Sequence, residues 1–70
     1  MERAPVDSSN LRSIGYDPET QTLEIEFHSG GIYQYFNVPP DIYTGSMNAS
    51  SHGKYFYEHI SDVYRYRRMR

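Results

Sequence analysis

The clearest hydrophobic pattern in the chain is the segment TLEIEFH, residues 22–28. Leu23, Ile25 and Phe27 alternate there with polar or charged residues. A period of two is typical of a β-strand that buries one face and exposes the other. The segment is therefore predicted to be a half-buried strand whose two glutamates face solvent.

Two further strands are predicted on either side of this segment. Residues 11–16, LRSIGY, carry apolar side chains, and the following DPETQ has turn chemistry because proline pre-sets φ and aspartate can cap the turn. After the glycines of residues 30–31, the segment IYQYFNV of residues 32–38 returns as a third strand. The second and third strands should form a hairpin.

The length of the hairpin loop decides which face of the third strand is buried, because a one-residue slip exchanges the faces. A three-residue loop over residues 29–31 pairs Phe27 with Tyr33 and turns Tyr33 and Tyr35 toward the core. We favour it because its last residue is a glycine, which suits the left-handed position of that loop class. The alternative, a two-residue loop, pairs Phe27 with Ile32 and requires a serine at positive φ.

Two short helices are predicted after the Pro39-Pro40 pair. Proline suits a first helical turn and Asp41 suits the positive end of a helix, so residues 41–50 are predicted to be helical. A second helix is predicted over residues 50–64, with one of the two serines at its start as N-cap. An apolar stripe with helical spacing runs along it: Phe56, Ile60 and Val63.

These elements predict an α+β fold, in which a three-stranded antiparallel sheet is followed by two short helices packed on one of its faces. Seventy residues make one domain, predicted here as residues 8–64. Residues 1–7 are expected to be a flexible N-terminal arm and residues 65–70 a basic C-terminal tail. The predicted core is Ile14, Leu23, Ile25, Phe27, Tyr35, Val38, Ile42, Ala49, Phe56 and Ile60.

Composition narrows the function classes without naming a reaction. The chain has no cysteine, which excludes disulfides and thiolate metal sites. The histidines His28, His52 and His59 lack the spacing to share one ion, so no metal and no cofactor is expected. A domain this small has little room for a substrate pocket, so neither a small-molecule substrate nor enzymatic activity is expected.

Localisation is predicted from what the chain lacks. The first ten residues do not resemble a secretory signal, and no apolar run is long enough for a membrane span. A cytoplasmic protein with no membrane partner is the expectation.

Charge is distributed unevenly along the chain. Residues 1–64 carry three Lys or Arg against all nine Asp or Glu, a net charge of −6, whereas residues 65–70, RYRRMR, carry four arginines and no acid. Arginine neutralises phosphate and tyrosine stacks on bases, so nucleic-acid binding is a hypothesis. Its residues are Arg12, Lys54, Arg65, Tyr66, Arg67, Arg68 and Arg70. The alternative is a solvated tail that folds back on the acidic strand residues Glu24 and Glu26.

Three segments, LEIEFHSGGIYQYFNVP, VPPDIY and NASSHGKYFYEHI, together resemble the KTSC domain, the lysyl-tRNA synthetase C-terminal-like family, over roughly residues 8–68. The shared positions are Tyr33, Tyr35, Val38, Pro39, Ala49, Ser51, Gly53, Tyr55 and Phe56. The resemblance implies a small bacterial or phage protein. RNA binding is proposed for that family, whose function is treated as unknown.

The residues and the resemblance together predict a non-catalytic binding module with RNA as the first partner. The shared motif is then mainly structural. The rival hypothesis is a protein-protein interaction or self-association module, including a homodimer, that uses the open sheet face or a sheet edge. Exposed aromatic residues such as Phe36 and Tyr57 would mark that contact.

Overall fold

The computed structural model describes all 70 residues and contains one antiparallel sheet and two helices. The strands are β1 (Ala4–Pro5), β2 (Leu11–Asp17), β3 (Thr22–Phe27), β4 (Ile32–Tyr35) and β5 (Tyr66–Arg68). The helices are α1 (Pro40–Asn48) and α2 (His52–His59), which lie between β4 and β5 in the chain. Each strand pairs with its sequence neighbour, in the order β1-β2-β3-β4-β5.

The α+β class is confirmed, but the prediction of three strands is wrong because the sheet has five. The two extra strands are the sheet edges, and they come from the segments predicted to be a flexible arm, 1–7, and a tail, 65–70. β1 has two residues and β5 has three. Such short strands carry too little alternation to be recognised from a hydrophobic pattern.

The β3–β4 hairpin turns through a three-residue loop, residues 28–30, one residue earlier than predicted. The N–H of Phe27 donates to the carbonyl of Gly31 (2.9 Å), and the glycine that ends the loop has φ of +103°. Ile25 consequently lies opposite Tyr33, and the predicted pairing of Phe27 with Tyr33 is wrong by two residues. An even shift leaves every side chain on its predicted face, so Tyr33 still faces the helices.

The core lies between the sheet and the helices. Its members are Leu11, Ile14, Leu23, Ile25, Tyr35, Val38, Phe56 and Ile60. Of the predicted core, Phe27 and Ile42 are only partly buried against it and Ala49 is not part of it, while Leu11 was not predicted. The predicted helical stripe is wrong at Val63, which is 60% exposed, because α2 ends at His59.

The start and end of α2 set where the chain re-enters the sheet. The hydroxyl of Ser51, one of the two serines predicted as the cap, accepts from the N–H of Lys54 (3.2 Å). After the helix, Asp62 adopts a positive φ of 62°, a conformation that aspartate tolerates better than most residues. The turn directs the chain back along β4 as β5.

The first residues of the chain pack on β2 at a glycine. Ala4 lies opposite Ile14 in the β1–β2 pair. A Cβ added at Gly15 would meet the Cγ of Arg3 at 2.9 Å and would collide with the carbonyl oxygen of Glu2. Glycine at this position therefore allows the N-terminal segment to cross the sheet in close contact.

Substituting Gly15→Ala should destabilise the protein by about 1–3 kcal/mol, because the added methyl group forces the backbone of the N-terminal segment away from β2. Urea unfolding measures the change. The matched control is the same substitution in a chain without residues 1–6. There the alanine should be neutral or stabilising by roughly 0.5–1 kcal/mol. Equal destabilisation in both chains would contradict the contact.

Candidate functional site: an aromatic cleft beside an arginine-rich edge strand

An open cleft of about 310 Å³ lies between the β4–β5 edge of the sheet and the end of α2. A cleft of this size was not expected from the length of the chain. Six of its nine lining residues are aromatic and three are polar. They are Phe27, Ser29, Tyr33, Tyr35, Phe56, Tyr57, Ser61, Asp62 and Tyr66.

Strand alternation builds the sheet side of the cleft. Tyr33 and Tyr35 lie on the same face of β4, and Tyr66 of β5 lies opposite Tyr35. The ring centroid of Tyr66 is 5.7 Å from that of Tyr33 and 5.7 Å from that of Tyr35. Three tyrosine rings from two neighbouring strands thus form a continuous aromatic surface.

The helix α2 closes the other side of the cleft. Phe56 packs edge-to-face on Tyr35, with ring centroids 5.6 Å apart, and on Phe27 at 5.3 Å. Tyr57, the next residue on the helix, is 62% exposed, and Tyr66 on the strand is 58% exposed. The floor of the cleft is therefore part of the core, while two tyrosines at its rim keep much of their surface in solvent.

The floor of the cleft is neutral. Burial raises the pKa of the Tyr35 hydroxyl well above its ordinary value, and Tyr33, Tyr66 and the Asp62 carboxylate add smaller effects in the same direction. Asp62 is the one charged side chain among the lining residues. The cleft thus offers ring surfaces for stacking and a carboxylate that accepts hydrogen bonds.

Pairing of β5 with β4 sorts the C-terminal arginines onto two faces. Arg68 lies opposite Tyr33, on the cleft side, and its guanidinium carbon is 5.6 Å from the centroid of the Tyr33 ring. That distance is within the range of a cation–π contact. Arg67 lies opposite Gln34 and so belongs to the other face of the sheet, as does Arg65 by alternation.

The acidic partners expected for these arginines are already engaged. Glu24, predicted to face solvent, is only 7% exposed. Arg3 crosses the sheet, forms an ion pair with Glu24 and lies 3.9 Å from Glu26. Those are the only two ion pairs in the structure, so the alternative, in which the tail arginines pair with these glutamates, is wrong. The arginines of residues 65–70 are exposed and form no ion pair with Asp or Glu, and the Nε–H of Arg68 donates to the carbonyl of Arg70 (2.9 Å).

Hydrogen bonds complete the polar network on this outer face of the sheet. Gln34 donates to Glu24 (2.8 Å), and the Ser13 hydroxyl donates to Glu26 (2.9 Å). Burial alone would raise the pKa of Glu24. The hydrogen bonds from Gln34 and Arg3, together with the Arg3 charge, instead lower that pKa below its ordinary value.

The other two basic residues of the binding hypothesis lie away from β5. Arg12 is exposed on β2, three strand spacings from β5, or roughly 14 Å. Lys54 lies at the start of α2 beside a separate depression that includes Ser50, Tyr55 and Glu58. The structure thus groups the C-terminal arginines with Tyr66 but does not bring Arg12 or Lys54 to them.

The histidines occupy separate places. His28 contacts the carbonyl of Ser8 (2.8 Å) and His52 contacts the carbonyl of Ser46 (2.7 Å). No group of three or more His, Asp or Glu side chains converges anywhere in the chain. Neither helix is long and apolar enough to cross a membrane.

Sequence reasoning missed the three polar residues of the cleft, of which Asp62 is the charged one. Asp62 follows the end of α2, outside any hydrophobic period, and nothing in the local pattern directs its carboxylate toward Tyr35. The available signal was weak. An aspartate just beyond a helix end is typical of a turn at positive φ, which returns the chain toward the sheet.

Much of the shared sequence motif serves the fold. Val38 is fully buried, its N–H donates to the carbonyl of Gln21 (2.9 Å), and its own carbonyl accepts from the Tyr16 hydroxyl (2.6 Å). Tyr55 lies directly against Gly45, since a Cβ there would be 2.7 Å from Cζ of the tyrosine ring. Tyr33 and Tyr35 belong to both the fold and the cleft.

Comparisons with known proteins agree with this architecture. The sequence profile of the KTSC domain matches residues 7–64. The crystal structure of a KTSC domain protein from Yersinia pestis superposes with a TM-score of 0.96 at 40% identity, covering 99% of this chain and 97% of that one. This small α+β domain with an aromatic cleft therefore belongs to the KTSC domain family.

Relatives occur in two contexts. An uncharacterized protein of Stutzerimonas stutzeri is 50% identical over 56 residues, which are 80% of this chain and 79% of that protein. A lysine–tRNA ligase of Nostoc sp. is 40% identical over 63 residues, which are 90% of this chain but 11% of the ligase. The domain is thus similar both to a small protein and to a short segment of a large enzyme.

The lowered pKa of Glu24 links the outer-face network to acid stability. Because the folded pKa lies below the unfolded value of about 4.3, the carboxylate stabilises the fold above that pH and loses the effect as pH falls through the folded pKa. Arg3→Gln should cost about 1–3 kcal/mol at pH 7 and flatten the fall in stability between about pH 5 and pH 3.

Urea unfolding at a series of pH values measures this effect. Arg12→Gln is the matched control, because it removes the same charge from an exposed position that has no carboxylate partner. The control should keep the acid dependence of the parent protein. An unchanged dependence in Arg3→Gln would contradict the assigned network.

Proposed function

We propose that the chain is a non-catalytic binding module for single-stranded RNA, with β5 and the aromatic cleft as the contact surface. The observation that carries the proposal is the placement of the C-terminal arginines. They are exposed, they form no ion pair with Asp or Glu, and Arg68 lies beside a cleft whose rim carries the exposed ring of Tyr66. Proteins that bind single-stranded nucleic acid combine positive charge with aromatic side chains on which the bases stack.

Each part of the surface has a chemical task in the proposed complex. Arg68, on the cleft side of β5, neutralises a phosphate next to the base that enters the cleft. Arg67, on the other face of the same strand, and Arg65, just before the strand, neutralise phosphates as the backbone follows the sheet edge. Tyr66 stacks on a base, an interaction worth about 1–3 kcal/mol.

A single strand suits this surface better than a duplex. The bases of a duplex are already stacked on each other, whereas an unpaired base can enter a cleft and stack on tyrosine. The body of the domain also carries excess negative charge outside residues 65–70, which opposes a long phosphate array. The similarity to a segment of a lysine–tRNA ligase, whose name states an RNA substrate, supports RNA as the partner.

Arg67→Gln and Arg68→Gln should each weaken binding of a labelled single-stranded RNA and make it less salt-dependent. Each lost phosphate contact should reduce the slope of log K against log salt by about 0.7. Fluorescence anisotropy at several salt concentrations measures both quantities. Point substitutions are preferable to removing residues 65–70, because truncation also removes an edge strand of the sheet.

The matched controls are Arg12→Gln and Lys54→Gln, which remove the same charge from positions away from β5. Their affinity and salt slope should stay close to those of the parent protein. Equal weakening by all four substitutions would indicate a general charge effect rather than a site at β5. No binding by the parent protein at low salt would refute the RNA proposal.

Pairing of two copies through β5 is the form of self-association that the sheet edge suggests. The outer edge of β5 is not paired with another strand. Antiparallel pairing of two copies there would bring arginines close to arginines, which is destabilising. We therefore expect a monomer in sedimentation velocity at low salt. A dimer that Arg67→Gln strengthens would instead favour the interaction hypothesis.

A further inference from the structure

The lining of the cleft carries chemical groups beyond the arginines of β5. It combines six aromatic rings with one carboxylate, that of Asp62, and with the guanidinium of Arg68 at its edge. Asp62 takes part in neither ion pair of the structure. An unpaired acceptor beside stacking surfaces is suited to a ring that carries hydrogen-bond donors.

The charges around the cleft exclude the simplest alternatives. A cationic ligand, such as a quaternary ammonium group, would suit an aromatic cage, but Arg68 already places a positive charge against Tyr33 and would repel a second one. An anionic group inside the cleft would face Asp62. The occupant that both charges favour is a neutral aromatic ring inside the cleft with its phosphate outside, against Arg68.

We infer that the cleft takes one unpaired guanine base of single-stranded RNA, with the Asp62 carboxylate accepting hydrogen bonds from its N1–H and N2 amino groups. This inference rests on the proposed function and adds the identity of the base. A carboxylate has two acceptor oxygens, and guanine offers two adjacent donors on its Watson–Crick edge. Adenine and cytosine each offer a single amino group there, and uracil places one N–H between two carbonyl oxygens.

The test compares labelled RNA hexamers that differ at a single base. Hexauridylate is the reference, and one internal uridine is replaced by guanosine, inosine or adenosine. Inosine is the closest control because it keeps N1–H, O6 and N7 but lacks the N2 amino group. The guanosine hexamer should bind about 10-fold more tightly than hexauridylate, with the inosine and adenosine hexamers in between.

Asp62→Asn is the variant that separates base recognition from folding. Asparagine tolerates the positive φ at this position and has the same shape, but it replaces one acceptor oxygen with a donor. The preference for guanosine should fall to within about 2-fold. Binding of hexauridylate should remain or increase, because a negative charge has been removed near the phosphates.

The outcomes distinguish this inference from the proposed function. Equal binding of all four hexamers, weakened by Arg68→Gln, would overturn base recognition and leave the RNA proposal standing. A guanosine preference that survives Asp62→Asn would overturn the assignment to Asp62. No binding of any hexamer at low salt would overturn both.

Discussion

One constraint decides on which side of the sheet the β4 tyrosines lie: whether the loop of the β3–β4 hairpin has an odd or an even number of residues. Its three-residue loop places Tyr33 and Tyr35 on the face that carries Ile25. A loop one residue shorter or longer would turn Gln34 beneath α2, where its amide would lack the Glu24 partner that it has on the outer face. A buried amide without a partner is costly. Burial of the helix-facing side of the sheet therefore favours a loop with an odd number of residues.

The cleft follows from how this small domain fills its core. Six of the eight core residues are aliphatic, and partly buried aromatic rings pack around them. Phe56 reaches Tyr35 and Phe27 through edge-to-face contacts, a geometry that does not close the space between α2 and the sheet edge. The rings that form the floor of the cleft also hold the helix on the sheet. Substitutions there would change stability as well as binding, whereas Tyr57 and Tyr66 at the rim are largely free of that double constraint.

Charge is separated by the strand order of the sheet. The N-terminal segment carries Arg3 across β2 to Glu24 and Glu26, so the acids at the centre of the outer face are largely satisfied within the fold. The arginines of β5, at the opposite edge, keep their charge available to solvent and ligands. A chain with a net charge of −2 thereby presents a local cationic strip, which overall composition conceals.

The sequence by itself determined the α+β class, the three longer strands, the two helices and a serine cap on the second of them, and it favoured the inward face of Tyr33 and Tyr35. These features depend on local periodicity and turn chemistry, which are written within a few residues. Only the tertiary structure decided the edge strands β1 and β5, the hairpin register, the ion pair between Arg3 and Glu24, and the place of Asp62 in the cleft. Those features join residues that are distant in sequence, through backbone pairing or single side-chain contacts. Such contacts produce no periodic pattern of hydrophobic residues in the sequence.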